Sequence, residues 1–143
     1  MTEALPEKRR VTAGRDIIIR PAIAPDTPFI MKEWLRTYAA SEFAKRIDRD
    51  TFFRFHHLYA EGLLKRGAVV AAFPDDRDTL CGFLVGAGEV AHYCFTKGQF
   101  RRWGIAEAML DEVFGKRQFY YTHNTPDGRA LVAKRQARYC PYL

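Results

Sequence analysis

Residues 90–115 read VAHYCFT (90–96), KGQFRRWG (97–104), IAEAMLDEVF (105–114) and then Gly115, so three different patterns follow one another. The β-branched and aromatic residues of 90–96 predict a strand. Apolar side chains recur at helical spacing from Ile105 to Val113, and glycine is the usual residue after a helix end. A basic loop containing Gly104 therefore joins a strand to a helix.

The chemistry of this loop suits a pyrophosphate. Backbone N–H groups at the start of a helix have no intrahelical partner, and the helix dipole adds partial positive charge there. Lys97, Arg101 and Arg102 add full charges. Gly104 lets the backbone approach a phosphate closely, and the small side chain of Ala106 leaves room for it.

The segments around the loop predict a complete domain. A strand at 16–20 precedes amphipathic helices at 27–40 and 50–67, and short strands follow at 68–73, 79–85 and 90–96 as an antiparallel meander. A strand at 119–123 and a short helix at 129–136 follow the central helix. The predicted fold is α/β (α+β), with a mixed, mostly antiparallel sheet, helices on both faces and the order β-α-α-β-β-β-α-β-α.

Composition is that of one globular domain. The chain has 143 residues, 48% of them hydrophobic. Residues 1–15 are polar and predict a flexible N-terminal arm, which leaves 16–143 as the domain. The charged N-terminus and short apolar runs predict neither a leader nor a membrane span. Three cysteines, Cys81, Cys94 and Cys140, form no CxxC pair and predict free thiols, no zinc and a cytoplasmic protein.

A net charge of +6 favours acidic partners, which include phosphates, nucleotides and nucleic acid. The spacing Arg101-x-x-Gly104-x-Ala106 resembles the R/Q-x-x-G-x-G/A motif of the GNAT (Gcn5-related N-acetyltransferase) superfamily. Residues 16–143 are similar more closely to GNAT-like proteins of bacteriophages and prophages. The segments that carry this second resemblance are 34–38, 90–93, 100–106 and 139–143.

The resemblance implies an N-acyltransferase that uses acetyl-CoA as co-substrate, without a metal. Backbone groups of Cys94, Phe95 and Thr96 would bind the pantetheine arm. Backbone N–H groups would hold the pyrophosphate along the loop Arg101, Arg102, Trp103, Gly104, Ile105 and Ala106. The thioester would lie where the fourth and fifth strands splay apart. An amine acceptor, which is a small molecule, a protein or a nucleobase, would attack it directly.

His92 and Tyr139 are the candidate catalytic residues. Alternation along the strand places His92 on the same face as Cys94, where it would accept the amine proton, unless it is a buried, hydrogen-bonded histidine. Tyr139 or Tyr142 would protonate the leaving thiolate, unless the two rings only pin the C-terminus to the core. His123 and the neighbouring Asn124 end a strand beside the splay and are placed to contact the acceptor or the thiol. Cys94 is a nucleophile only if its pKa is lowered.

Two other interpretations stay open. In the resemblance, the chain after Asn124 is short, which leaves the acceptor side incomplete and favours a binding or structural module of a bacteriophage. Such a module would act in the host cytoplasm or the virion, as a homo-oligomer or with a phage protein partner. The basic residues Arg129, Lys134, Arg135 and Arg138 raise the third possibility, nucleic-acid binding. The adjacent His56 and His57 point about 100° apart on a helix and do not form a metal site together.

Overall fold

The computed structural model describes residues 8–11 and 14–143, and the strands within them form one seven-stranded sheet in sequence order. The strands are β1 (Lys8–Arg10), β2 (Asp16–Pro21), β3 (Ala68–Phe73), β4 (Asp76–Ala87), β5 (Val90–Thr96), β6 (Phe119–Tyr121) and β7 (Ala137–Tyr139). The α-helices are α1 (Thr27–Tyr38), α2 (Glu42–Lys45), α3 (Arg49–Leu64), α4 (Ile105–Phe114) and α5 (Pro126–Val132).

The sheet is antiparallel from β1 to β5 and parallel from β5 to β7. Helices α1, α2 and α3 lie between β2 and β3, and α4 and α5 make the two parallel crossovers. A parallel crossover needs a connection of this length, so the helix that follows the basic loop fixes the direction of β6. The predicted mixed, mostly antiparallel α/β fold is confirmed.

Each face of the sheet has its own hydrophobic core. Ile18 on β2 packs into the core formed with α1 and α3, around the fully buried Trp34. Its neighbours Ile17 and Ile19 point the other way, into the core formed with α4, where Met109 is fully buried. The alternation of a strand therefore supports helices on both faces.

Some elements differ from the sequence prediction. Strand β1 lies within the predicted arm of residues 1–15 and pairs with β2, whereas residues 1–7 and 12–13 lie outside the described residues. The last helix starts at Pro126, because the Thr125 side chain accepts a hydrogen bond from Gly128 N–H at 3.0 Å. It ends early enough for Ala137–Tyr139 to pair beside β6.

His92 interrupts the regular register of β5. Val85 pairs with Tyr93 and Gly86 pairs with Ala91, so His92 is the extra residue of a β-bulge. Ala91 and Cys94 consequently pack into the same core, and strict alternation along β5 fails between them. The bulge therefore breaks the strict alternation from which the placement of His92 on the face of Cys94 was predicted.

None of the helices in the described ranges combines the length and the apolar character that a membrane crossing requires.

Candidate functional site

Two residues in left-handed backbone conformations shape the basic loop between β5 and α4. Arg102 has φ 67° and Gly104, the residue before the helix, has φ 85°. Successive N–H groups in turns of this kind form a concave site for anions. Arg102 adopts a conformation that is uncommon for a residue with a side chain, which marks the loop as a constrained feature.

Hydrogen bonds inside the loop decide which N–H groups can face a ligand. Arg101 N–H donates to Gly98 C=O at 3.2 Å and Trp103 N–H donates to Phe100 C=O at 3.4 Å. The first bond within the helix runs from Ala108 N–H to Gly104 C=O at 3.0 Å, so the N–H groups of Ile105 and Ala106 precede it. Fewer backbone N–H groups are therefore available to a pyrophosphate than the predicted run from Arg101 to Ala106 contains.

Most of the predicted coenzyme-binding residues line one open cleft of about 660 Å³. The exception is Trp103, whose ring packs against Phe100 with centroids 5.0 Å apart and anchors the loop to the sheet. The lining residues from the predicted set are Cys94, Phe95, Thr96, Arg101, Arg102, Gly104, Ile105 and Ala106. Residues 125–128 of the α5 end form the opposite wall.

The strand side of the cleft offers unpaired polar groups. Strand β5 pairs with β6 only through Val90 and Ala91, and Thr122 N–H adds a bond to Ala91 C=O at 3.1 Å. Beyond Ala91 and Thr122 the two strands splay apart. The buried hydroxyl of Thr96, which lines the cleft, has no hydrogen-bond partner among the described residues. A polar extended ligand lying along β5 would satisfy the backbone groups of the strand edge beyond Ala91.

A small cavity of about 50 Å³ lies in the splay and shares lining residues with two larger spaces. Tyr93, Cys94 and Thr125 line both this cavity and the cleft. His123 lines both this cavity and a second large cavity on the side of α3. His123 therefore stands between the cleft side and the α3 side of the sheet.

A continuous chain of hydrogen bonds joins three buried histidines at this point. His92 Nδ1 lies 2.9 Å from Thr122 Oγ1, which lies 2.9 Å from His123 Nδ1. His123 Nε2 lies 3.0 Å from His56 Nε2 on α3. All four side chains belong to buried residues, so water does not compete strongly for these bonds.

Burial keeps the three imidazoles neutral. Desolvation lowers the pKa of His56 to about 4. It also lowers the pKa of His92 to about 4, with a smaller contribution from the charge of Arg66. Desolvation, and then the neighbouring His56 and His92, lower the pKa of His123 to about 3. All three rings are therefore neutral at pH 7, each with one N–H.

Because the three rings are neutral, the hydrogen-bond chain has only two possible arrangements of its protons. The Thr122 hydroxyl donates to only one of its two histidine neighbours and accepts from the other. If it donates to His123, then His123 Nε2–H donates to His56 and His92 Nε2 carries no proton. If it donates to His92, every bond reverses and His56 Nδ1 carries no proton. Switching between the two arrangements moves the unprotonated outer nitrogen from His92 Nε2 to His56 Nδ1. This is equivalent to moving one proton between the two ends of the hydrogen-bond chain.

The second large cavity, of about 550 Å³, has walls of aromatic rings. We call it the aromatic cavity. Its lining residues are Tyr38, Phe43, Ile47, Thr51, Phe52, Phe55, His56, Tyr59, Thr122, His123, Tyr139 and Pro141. None of these described residues carries a carboxylate, an ammonium or a guanidinium. The cavity therefore suits an uncharged, planar apolar group.

The structure places Tyr139 in the wall of this aromatic cavity and not in the cleft beside the basic loop. Tyr142 is 93% exposed and lines neither space. Tyr93 is the tyrosine that lines both the splay cavity and the cleft, and its hydroxyl lies 2.7 Å from Thr37 Oγ1. The tyrosine acid predicted at Tyr139 stays a prediction, and Tyr93 is closer to the splay.

The structure also describes the surroundings of the candidate nucleophile Cys94 and of the basic C-terminal segment. Burial, and then the charge of Glu107, raise the pKa of the Cys94 thiol to about 12, which is the opposite of nucleophile activation. Arg135 of the basic C-terminal segment pairs with acidic residues of α4, including Asp111 at 2.9 Å. Within the described residues, no three His, Cys, Asp or Glu side chains are grouped as a metal site.

Sequence reasoning missed His56 and Thr122 as parts of this site. The contact between His56 and His123 joins residues 67 positions apart, so local patterns give no sign of it. One usable signal was the aromatic stripe of Phe52, Phe55 and Tyr59 on α3, whose i, i+3, i+7 spacing marks one face. That face now forms a wall of the aromatic cavity.

No protein-family model matches the chain, and no curated protein sequence matches it either. Solved structures do match. A protein from Pyrococcus furiosus assigned as an acetyl transferase aligns with a TM-score of 0.51 and 15% identity over 89% of this chain and 83% of that chain. The ribosomal-protein-alanine N-acetyltransferase from Brucella melitensis biovar Abortus 2308 aligns with a TM-score of 0.50 and 21% identity over 82% and 89%.

The apo form of YjaB from Escherichia coli aligns with a TM-score of 0.50 and 18% identity, over 67% of this chain and 63% of YjaB. The chain thus spans less than two thirds of YjaB. Identities this low show a shared architecture rather than a shared activity. The described fold is that of the GNAT acetyltransferases.

Proposed function

We propose that the protein is an acyl-CoA-dependent N-acyltransferase that transfers an acetyl group from acetyl-CoA to an amine. One observation supports this proposal: the left-handed loop and the open edge of β5 line one cleft, which shares Tyr93, Cys94 and Thr125 with the splay cavity beside His123. The fold shared with acetyltransferases supports the same conclusion.

The residues of the cleft fit a coenzyme A molecule. The N–H groups at the start of α4 and the side chain of Arg102 provide the positive site that a pyrophosphate needs. Arg101 would add its charge by exchanging Asp127, which lies 3.2 Å away, for a phosphate. The edge of strand β5 beyond Ala91, which does not pair with β6, provides donors and acceptors for the amides of the pantetheine arm. The arm would direct its thioester into the splay.

We assign His123 as the group that accepts the amine proton, because it lines both the splay cavity and the aromatic cavity. As the amine nitrogen bonds to the acyl carbon, the carbon–sulfur bond breaks and one amine proton must leave. Both ring nitrogens of His123 are bonded in the chain, so in the arrangement in which Thr122 donates to His92, His123 Nε2 would exchange its bond from His56 for the amine proton. The chain through Thr122 would then pass the charge to His92. His92 then acts through His123, and Tyr93 is placed ahead of Tyr139 to protonate the thiolate.

Thermal melting with acetyl-CoA tests the proposal. A ligand that binds only the native state adds about 2.7 kcal/mol of stability at a hundredfold excess over Kd, so the midpoint should rise. Arg102→Glu and Gly104→Asp should abolish the rise. Lys116→Glu, an exposed charge reversal beyond the other end of α4, is the matched control and should keep it. No shift at millimolar acetyl-CoA contradicts the proposal.

Turnover decides between an enzyme and a binding module. Release of free coenzyme A in the presence of an amine panel should be lost in His123→Gln, while the midpoint shift with acetyl-CoA remains. A midpoint shift without turnover on any amine would favour the non-catalytic module. Unchanged turnover in His92→Ala would retire His92 from the proton path.

A further inference from the structure

The aromatic cavity has a composition that selects a chemical class of acceptor. Its inner wall is formed by Tyr38, Phe52 and His56, which are buried, and its mouth by half-exposed rings such as Phe55 and Tyr59. Its volume of about 550 Å³ lies in the range of small-molecule sites. We propose, on the basis of the proposed acyltransfer function, that the acceptor is an aromatic primary amine whose ring occupies this cavity and whose nitrogen reaches His123.

Ring geometry supports a planar guest. The Phe52 and His56 rings are stacked at 5.1 Å with an interplanar angle of 16°. The Tyr59 and His123 rings are stacked at 6.2 Å with an angle of 21°. Aromatic faces and edges arranged in this way favour another ring by offset stacking or edge-to-face contact.

The absence of charge in the lining supports an amine that is neutral before reaction. A protonated alkylamine would enter without a carboxylate partner among the described lining residues, at a desolvation cost. It would also have to give its proton to His123, whose pKa lies far below that of an alkylammonium ion. In an aromatic amine the lone pair is delocalised into the ring, so the nitrogen is neutral at pH 7 and loses its proton only as it is acylated.

The reaction balances with the groups at hand. The nitrogen–carbon bond of an anilide forms, the carbon–sulfur bond of acetyl-CoA breaks, and coenzyme A leaves as a thiol. The nitrogen gives one proton to His123, the thiolate takes one from Tyr93, and proton exchange with solvent returns both side chains to their starting forms. No oxidant, reductant or metal is required.

Two isomeric amines test the proposal. Para-toluidine carries its nitrogen on the ring, and benzylamine carries it on a methylene group and is protonated at pH 7. With acetyl-CoA, the full chain should acetylate para-toluidine with a kcat/KM at least about tenfold above that for benzylamine. Equal rates, or a preference for benzylamine or for a peptide amine, overturn the proposal.

A pair of surface variants locates the site. Phe55→Glu places a carboxylate in the mouth of the cavity, at a residue 58% exposed, so folding should be retained. It should weaken para-toluidine binding, measured by calorimetry without coenzyme, about tenfold. Leu58→Glu is the matched control, because Leu58 lies on the same helix, is 60% exposed and does not line the cavity. Equal effects of the two variants overturn the assignment of the cavity.

The failure of this proposal differs from the failure of the proposed function. Acetyl-CoA binding without para-toluidine binding at millimolar concentration overturns the acceptor class alone. Para-toluidine binding without acetyl-CoA binding overturns the acyltransferase function, and the acceptor role falls with it.

Discussion

At the scale of single residues, the Thr122 hydroxyl has to form hydrogen bonds with two buried histidines at once. Its one hydroxyl lies 2.9 Å from a nitrogen of His92 and 2.9 Å from a nitrogen of His123. A hydroxyl is the smallest group that can donate and accept at once, so the histidine chain depends on it. Its backbone N–H also closes the last bond before the splay.

We expect Thr122→Val to lower both stability and turnover. The isosteric methyl group leaves two buried histidine nitrogens without a partner, which should reduce the free energy of unfolding by about 1–3 kcal/mol. The kcat should fall while the KM for acetyl-CoA stays constant, because Thr122 does not line the coenzyme cleft. Thr122→Ser, which retains the hydroxyl, is the control. Equal kcat values for the valine and serine variants would argue against a proton chain.

The buried histidines also predict how stability depends on pH. Their pKa values in the folded protein lie below the ordinary value of 6.5, so the unfolded chain binds more protons below that pH. The stability they contribute is complete above about pH 6.5 and is lost as pH falls toward about 4. The free energy of unfolding from urea titrations should therefore decrease steadily from pH 7 to pH 5.

The single variant His56→Phe measures how much of that pH dependence comes from one histidine. The phenyl ring can retain the stacking with Phe52 but cannot be protonated. The slope of unfolding free energy against pH should fall by about 1.4 kcal/mol per pH unit near pH 5. The same slope in the variant and the parent chain would show that His56 is not buried in its neutral form.

At the scale of elements, a buried ion pair fixes the start of α1 against β2. Arg20 Nη1 lies 2.7 Å from an Asp26 carboxylate oxygen, and that carboxylate also accepts a bond from Ile23 N–H at 2.9 Å. Burial raises the pKa of Asp26 more than any single contact lowers it, but the bonds from Arg20 and Ile23 and the charge of Arg20 together hold that pKa below its ordinary value. The position of α1 matters for the site, because α1 carries Tyr38 in the wall of the aromatic cavity.

Asp26→Ala should be strongly destabilising, since it leaves the Arg20 charge buried and unpaired. We expect a loss of about 3 kcal/mol in the free energy of unfolding, measured by urea titration. The matched control is Glu42→Ala, which removes an exposed pair with Lys45 and should change stability by less than about 1 kcal/mol. A loss no larger than the control's would mean that α1 is held by its apolar face alone.

At the scale of the whole molecule, local patterns predict the coenzyme side well. Strand β5 and the end of α4 at Phe114, before Gly115, match the sequence prediction, because period, turn chemistry and glycine agree there. The acceptor side is different. The bulge at His92 and the meeting of His56 with His123 arise from sheet register and from tertiary contacts between distant residues. The short β7 has too few residues for a pattern.

The cleft beside the basic loop and the aromatic cavity also differ in the charge of their lining residues. The chain carries a net charge of +6, and the proposed coenzyme cleft is lined by Arg101 and Arg102 together with Glu107 and Asp127. The aromatic cavity has no charged lining residue among those described. Acetyl-CoA is polyanionic, and para-toluidine is neutral. Only the first ligand gains from the protein's positive potential, and salt screens that gain.

We therefore expect salt to separate the two binding events. Raising the ionic strength from about 0.05 M to about 0.5 M should weaken acetyl-CoA binding about fivefold, because the Debye length falls below the distance over which the basic side chains act. Para-toluidine binding should change by less than twofold or strengthen slightly. Calorimetry of each ligand alone measures both. Parallel salt dependence for the two ligands would contradict separate sites, and its absence for acetyl-CoA would remove the basic loop as the pyrophosphate site.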